Sequence, residues 1–273
     1  MFGKILVQEF RNTWRIPFIF SVVAVGLSLL VRWELIYLND YTRSVPRLIE
    51  IAINIFVFMY IIYMIAASAI VVFSMPIRFY RESFGDQGYL YHSLPISMSA
   101  FFGAHVLVSS LWVMVYSIVV YCSLTIVFDS WGFFQTTIGI AWDILSRELR
   151  TVRSEDAVIL IVLAVLFIVY ILMSLVETVI MANCAVCLGQ NFRRHRTAGA
   201  ILMYFVLSFL IGLINQATGG SVLLNRMMDA SSSLMAVRTI AVVLAISVAA
   251  QLAECIVMWI ISTRHMTKHL NLE

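Results

Sequence analysis

The sequence predicts an all-α integral membrane protein with six transmembrane helices and a short interfacial helix at its N-terminus. Of the 273 residues, 62% are hydrophobic and 12% are charged, and the mean hydropathy of +0.96 lies well above that of ordinary soluble domains. Six largely apolar runs reach the length of about 20 residues that a helix needs to cross the hydrocarbon layer. The connections between the runs are too short to bury cores of their own, so residues 1–273 are predicted to form a single transmembrane domain.

Residues 1–15 are predicted to form an amphipathic helix that lies in the membrane interface. Polar and basic side chains recur on one face at spacings of three and four: Lys4, Gln8, Arg11 and Arg15. The opposite arc is apolar, with Phe2, Ile5, Leu6, Phe10 and Trp14, and Glu9 is the exception to this pattern. Such a helix turns its cations toward anionic headgroups. The alternative is that these residues are only a charged beginning of the first span.

The six predicted spans cover residues 16–38, 51–74, 97–128, 157–189, 198–216 and 237–262. The first span is preceded by basic residues, as a signal peptide is, but Arg32, Trp33 and Glu34 follow its apolar run instead of a small-residue cleavage site. We therefore expect this segment to stay in the protein as a span.

An even number of spans places both termini on the same side of the membrane. Three arginines crowd the short connection at residues 193–196, and short basic connections lie on the cytoplasmic side in most membrane proteins. The sequence therefore predicts that the N-terminus and the C-terminus are both cytoplasmic.

No residue pattern predicts catalysis, nucleotide binding or a metal site in this chain. Neither a GxxxxGK[ST] loop nor an HExxH motif occurs. Cys184 and Cys187 form a CxxC inside a span, but no second pair accompanies them, which favours packing over zinc binding. We therefore expect the chain not to be an enzyme and to carry no cofactor of its own.

Few polar side chains lie deep inside the predicted spans, away from the end of the first span that carries Glu34, and the acids among them are Glu177 and Glu254, accompanied by His105. A carboxylate near the bilayer centre costs about 2.5–3.5 kcal/mol on insertion scales, so it is normally shielded, paired or functional. Glu177 and Glu254 are thus candidates for lining a transport pathway. Protonated packing against neighbouring helices explains them equally well.

Residues 76–96 form an unusually long and aromatic connection between the second and third spans. Connections between neighbouring membrane helices need two to eight residues, whereas this one has about twenty. The stretch at residues 75–84 can continue or restart a helix at Pro76, and Gly85 and Gly88 then predict a turn. Aromatic side chains interspersed with arginine favour a docking surface on the cytoplasmic side. The alternative is an interfacial helix whose aromatic rings sit among the headgroups.

The stretch FYRESFGDQGYLYHSLPIS resembles the first cytoplasmic loop of ABC-2 type permeases, the membrane subunits of bacterial ABC transporters. In that family a phrase of the form FYxxLFGDEGYLxxTLPVS precedes the third span. ANCAVCLGQNFRRHRTAGAILMYF resembles the junction between the family's fourth and fifth helices, and the closing KHLNLE resembles its Lys-rich end. Gln87 departs from the pattern, because Glu is common at this position.

The resemblance implies an ABC-2, type V-like permease fold in the bacterial cytoplasmic membrane. Family permeases work in pairs, so the partner would be an identical or related permease. Two copies of a separate ATP-binding subunit would carry ATP and Mg²⁺. Residues 78–92 would couple this chain to that subunit, with Tyr80 and Phe84 as hydrophobic anchors. The other expected contact and turn residues are Arg81, Glu82, Gly85, Asp86, Gly88 and Tyr89.

The function that follows from the resemblance is ATP-driven transport, with export of an amphipathic compound or peptide as the expected direction and cargo. The lipid bilayer is the expected environment, and no nucleic-acid partner is expected. The alternative function is a membrane scaffold or sensor that binds a cytoplasmic regulator through residues 78–97 and needs no ATPase.

Overall fold

The computed structural model describes residues 2–40, 46–85, 97–127, 154–192, 195–217 and 233–268, and every element within these ranges is a helix. The helices of this part of the chain are α1 (Phe2–Thr13), α2 (Arg15–Asp40), α3 (Arg47–Ser83), α4 (Met98–Val127), α5 (Ser154–Gly189), α6 (Arg196–Asn215) and α7 (Ser233–Lys268). Helices α2 to α7 each contain a segment long and apolar enough to cross a membrane. The prediction of a helical membrane protein with six candidate spans is thus confirmed.

A turn at Trp14 separates α1 from α2. The main-chain bonds from Trp14 N–H to Phe10 O (3.3 Å) and from Phe18 N–H to Trp14 O (3.0 Å) keep the two helices close to continuous. The interruption has a simple cause, since Pro17 has no N–H to donate to the carbonyl of Thr13. The N-terminal residues are therefore a helix of their own, as their amphipathic pattern predicts.

Helix α3 extends past the predicted second span. That span was predicted to end at residue 74, with residues 75–84 continuing or restarting a helix at Pro76, and α3 runs without interruption from Arg47 through Pro76 to Ser83. Met75 and Phe79 on either side of the proline are almost completely buried, so tertiary packing stabilises the helix past the point where proline usually weakens it. The first part of the expected connection is therefore the last two turns of α3.

The described residues fall into two compact units. The first contains those within Met1–Glu9, Met75–Ser110 and Leu145–Glu273, and the second contains those within Phe10–Ser74 and Leu111–Ile144. The core of the second unit is formed around Ala24, Val31, Tyr60 and Met64, and the Tyr63 hydroxyl donates a hydrogen bond to the carbonyl of Phe20 over 3.1 Å.

In the first unit α5 packs against both α6 and α7. The turn between α5 and α6 depends on two glycines. A Cβ atom on Gly189 would lie 2.5 Å from the backbone nitrogen of Ala200, and one on Gly199 would lie 2.4 Å from Cδ2 of Phe192. Small residues at such positions let membrane helices approach closely. The α5–α6 contact therefore leaves no room for a side chain at Gly189, and leaves room for one at Gly199 only if the Phe192 ring moves.

Large apolar side chains cover much of the outside of the candidate spans. Ile65, Phe205 and Phe209 are each 66–68% exposed. Such a surface is stable in contact with acyl chains and unstable in contact with water. The exposed faces of the helices therefore fit a lipid environment.

Candidate functional site

The segment that sequence reasoning singled out begins on the last turn of α3. Arg81 is exposed, whereas Tyr80, Phe84 and Gly85 are half-buried. The N–H of Phe84 bonds to the carbonyl of Tyr80 over 2.9 Å and ends the helix. A Cβ atom on Gly85 would lie only 2.7 Å from the carbonyl oxygen of Arg81, so the turn needs a glycine there.

The remaining residues assigned to this segment, Asp86, Gly88 and Tyr89, lie outside the described part of the chain, as does Gln87. Glu82 differs from the expectation, because its side chain is 4% exposed and cannot offer its carboxylate to a partner on the surface. We therefore reassign Glu82 from a docking contact to an internal role.

Phe79 fixes the end of α3 to the beginning of α4. Its ring is completely buried and lies 5.6 Å from the ring of Phe102, 6.4 Å from that of Phe101 and 5.0 Å from the imidazole of His105. The Phe84 ring meets the same side chain edge-on at 6.3 Å. Aromatic groups at these separations attract one another beyond the effect of burial. These contacts therefore hold the C-terminal end of α3 against α4.

Beneath this aromatic group lies a polar cluster formed by Glu9, Arg78, Glu82, His105 and Ser109. Arg78 donates to Oε1 of Glu82 from Nε at 2.7 Å and from Nη2 at 2.6 Å. Oε2 of Glu9 lies 3.6 Å from Nδ1 of His105, and Nε2 of the same ring is 3.4 Å from Oγ of Ser109. The cluster thus brings α1, α3 and α4 together through polar groups inside the first unit.

Burial of the cluster is nearly complete except at Arg78, whose side chain is 24% exposed. Glu9 and His105 are each 1% exposed and Ser109 is fully buried. Burial alone raises the pKa of Glu9, but His105, Glu82 and Arg78 together act in the opposite direction, so that the pKa of Glu9 lies below its usual value. The ionised form of Glu9 is therefore the favoured one.

Sequence reasoning missed this cluster. Glu9 stood out as an exception on the apolar arc of α1, and His105 stood out as a lone imidazole within a span. The signal was the four-residue spacing of Ile5, Glu9 and Thr13, all buried, which places the acid on the inward face of α1. Nothing in the sequence, however, indicates that Glu82 and His105 lie beside it.

The two acids of the later spans also meet. Glu177 on α5 is 7% exposed, and its carboxyl group interacts directly with that of Glu254 on α7. Neither oxygen of Glu254 has a hydrogen-bond partner among the described residues. Two carboxyl groups in contact are stable only if at least one is protonated or a cation lies between them. Both the pathway role and the packing role predicted for this pair remain predictions.

Cys184 and Cys187 are completely buried on α5, and both are free thiols. Both interact with Ser262 of α7. In the described residues no histidine or further thiol joins them in a group that could hold a metal ion, and the packing role expected for them stays a prediction.

Comparisons with protein-family models, with curated proteins and with solved structures found no match. The class of protein is therefore defined by the fold itself, which is that of a helical, multi-pass membrane protein with six candidate spans.

Proposed function

We propose that the chain is the transmembrane subunit of an ATP-driven ABC transporter of the ABC-2 type, in the bacterial cytoplasmic membrane with both termini in the cytoplasm. A separate ATP-binding subunit, present in two copies, binds ATP and Mg²⁺, and an identical or related permease completes the pathway. The cargo is an amphipathic compound or peptide that leaves the cell. The similarity of FYRESFGDQGYLYHSLPIS to the family's coupling loop is the sequence basis of this proposal.

The observation that carries the proposal is the course of α3. The residues that resemble the coupling loop begin inside α3 itself, which contains a candidate span and ends at Ser83. A subunit that binds at Tyr80, Arg81 and Phe84 therefore acts on a membrane helix without an intervening flexible connection. Such an arrangement suits a device that converts movement of a partner into tilting of a helix.

Exposure supports a narrower set of contacts than the sequence suggested. Arg81 is exposed at the helix end, and the half-buried rings of Tyr80 and Phe84 lie next to it, with their centroids 6.4 Å apart. Arginine and aromatic side chains are the residues that most often dominate binding energy at protein interfaces. We therefore assign the docking contact to these three side chains and leave Glu82 out.

The test is coexpression with candidate ATP-binding proteins from neighbouring genes, followed by reconstitution of any purified complex in lipid nanodiscs. Arg81→Glu is expected to lower the affinity of this chain for the ATP-binding subunit by about tenfold or more. The stimulation of ATP hydrolysis by this chain is expected to fall in proportion. Arg264→Glu serves as the matched control, because Arg264 is also exposed and lies near the end of α7.

An unchanged affinity and an unchanged ATPase rate in Arg81→Glu and in Tyr80→Ala would remove the docking assignment. If no ATP-binding protein copurifies and a regulator without a nucleotide-binding loop does, the scaffold or sensor function takes its place.

A further inference from the structure

Three buried side chains of the polar cluster bring electron-pair donors close together. One carboxylate oxygen of Glu9, one of Glu82 and a ring nitrogen of His105 all lie within 4.8 Å of each other. Each residue is at most 4% exposed. Because ionised carboxylates only accept hydrogen bonds, two of them so close together favour a proton or a further cation between them.

The far side of two of these groups is already occupied. Arg78 binds Oε1 of Glu82, while Oε2 of the same carboxylate is buried without a hydrogen-bond partner in the described part of the chain. Ser109 lies at Nε2 of His105, while Nδ1 is buried and likewise makes no hydrogen bond with any described residue. Each of the two side chains is thus held through one polar atom and keeps a second one without a hydrogen bond, as metal-binding histidines and carboxylates with an outer partner do.

We propose that Glu9, Glu82 and His105 form a binding site for a divalent transition-metal ion of the zinc type. One imidazole and two carboxylates match the donor preference of such ions. In a tetrahedral zinc site, bonds of about 2.0–2.1 Å separate the ligand atoms by about 3.4 Å. The distance of 3.6 Å between Glu9 Oε2 and His105 Nδ1 is close to this separation, and a carboxylate oxygen of Glu82 within 4.8 Å of both atoms would move closer on binding. A water molecule takes the fourth position.

Protons compete with a metal ion for the ligands of this site. Zinc binds ionised carboxylates and a neutral imidazole, so its affinity falls as the pH is lowered. Arg78 repels the ion, and its pairing with Glu82 therefore weakens the affinity without removing a ligand.

The site is independent of the proposed transport function. It ties α1 to the end of α3 and to the beginning of α4, whatever partner binds the surface nearby. A bound ion would link one ligand from α1 to one from α3 and one from α4, in addition to the existing contacts of Glu9.

The experiment uses the full-length chain in lipid nanodiscs, with any histidine tag removed and with Zn²⁺ as the probe. Titration against a fluorescent chelator is expected to give one zinc ion per chain, bound more weakly at lower pH. Glu82→Gln and His105→Gln each remove a ligand and are expected to abolish this binding. Glu50→Gln and His195→Gln are the matched controls, because both side chains are exposed and lie outside the cluster.

Ser109→Ala keeps all three ligands and is expected to lower the zinc affinity by about 10–100-fold through the loss of the outer partner. This variant keeps the test decisive if the ligand variants fail to fold. Zinc-edge X-ray absorption is expected to show nitrogen and oxygen neighbours with an imidazole signature. Sulfur neighbours at about 2.3 Å would point to Cys184 and Cys187 instead and overturn the proposal. Wild-type protein that binds no zinc, or variants that bind it as well as wild type, would overturn it too, leaving a proton as the occupant.

Discussion

Replacement of Gly189 by alanine is the sharpest test of the contact between α5 and α6. The new Cβ would lie 2.5 Å from the nitrogen, 2.6 Å from Cα and 2.8 Å from Cβ of Ala200. Two of these atoms are main-chain atoms, so no rotation of a side chain can relieve the overlap. The helices must move apart by about 1 Å at this point to restore ordinary contact distances.

The size of the expected loss of stability follows from a comparison with Gly199. A Cβ atom there would come even closer to a neighbour, 2.4 Å from the ring of Phe192, yet this ring is 38% exposed and can swing outward. Overpacking typically costs about 1–3 kcal/mol. We expect Gly189→Ala at the upper end, about 3 kcal/mol, because main chain must move, and Gly199→Ala near about 1 kcal/mol because a side chain can.

The assay is the free energy of unfolding of the detergent-solubilised protein in an SDS titration. Gly212→Ala is the control within α6, since nothing lies within 4 Å of its Cβ position, and the change is expected to be neutral or stabilising by up to about 1 kcal/mol. If Gly189→Ala proves as stable as Gly212→Ala, the close approach of α5 and α6 is not present in the protein. A larger loss for Gly199→Ala than for Gly189→Ala would refute the distinction between main-chain and side-chain obstruction.

Two further predictions use the same unfolding measurement. Phe79→Ala is expected to lower the free energy of unfolding by about 3–5 kcal/mol, because it removes the ring at the centre of the aromatic group. The control Phe205→Ala, at an exposed position, should change it by no more than about 0.5 kcal/mol. Equal losses in the two variants would contradict the anchoring role of Phe79. Arg78→Gln leaves the carboxylate of Glu82 without its cation and is expected to lower the free energy of unfolding by about 3 kcal/mol. This value is at the lower end of the range for a buried ion pair, because the Arg78 side chain is 24% exposed. The exposed Arg11, changed to Gln, should be silent within about 0.5 kcal/mol, and an equal effect of the two changes would argue against the buried pair.

The number and approximate position of the membrane helices could be predicted from sequence because span length and apolar composition are local properties. The position at which a helix ends depends more on residues that are distant in the sequence. The sequence leaves open whether the helix continues or restarts at Pro76, and with Met75 and Phe79 buried α3 continues without a break to Ser83. The deciding interaction comes from residues of α4, which lie beyond any window that a local pattern can use.

The residues of the candidate site were also predictable from the sequence only in part. Arg81, Tyr80 and Phe84 could be named in advance because aromatic and charged residues in an otherwise apolar chain are conspicuous. The burial of Glu82 could not be predicted from the sequence, because a carboxylate in a connecting segment is exposed in most proteins. Its partners come from elsewhere in the sequence, and only the packing of the helices against one another brings them together.

The glycine contact between α5 and α6 also has a consequence for the order of assembly. The two helices meet close to the turn that joins them, so the loop that must be closed to form their contact is short and costs little entropy. The contact between Glu177 and Glu254 requires α7, which lies far along the chain, and contacts of this kind form slowly. We therefore expect the α5–α6 hairpin to form first and the carboxyl pair to be completed last, when α7 docks onto a hairpin that already exists.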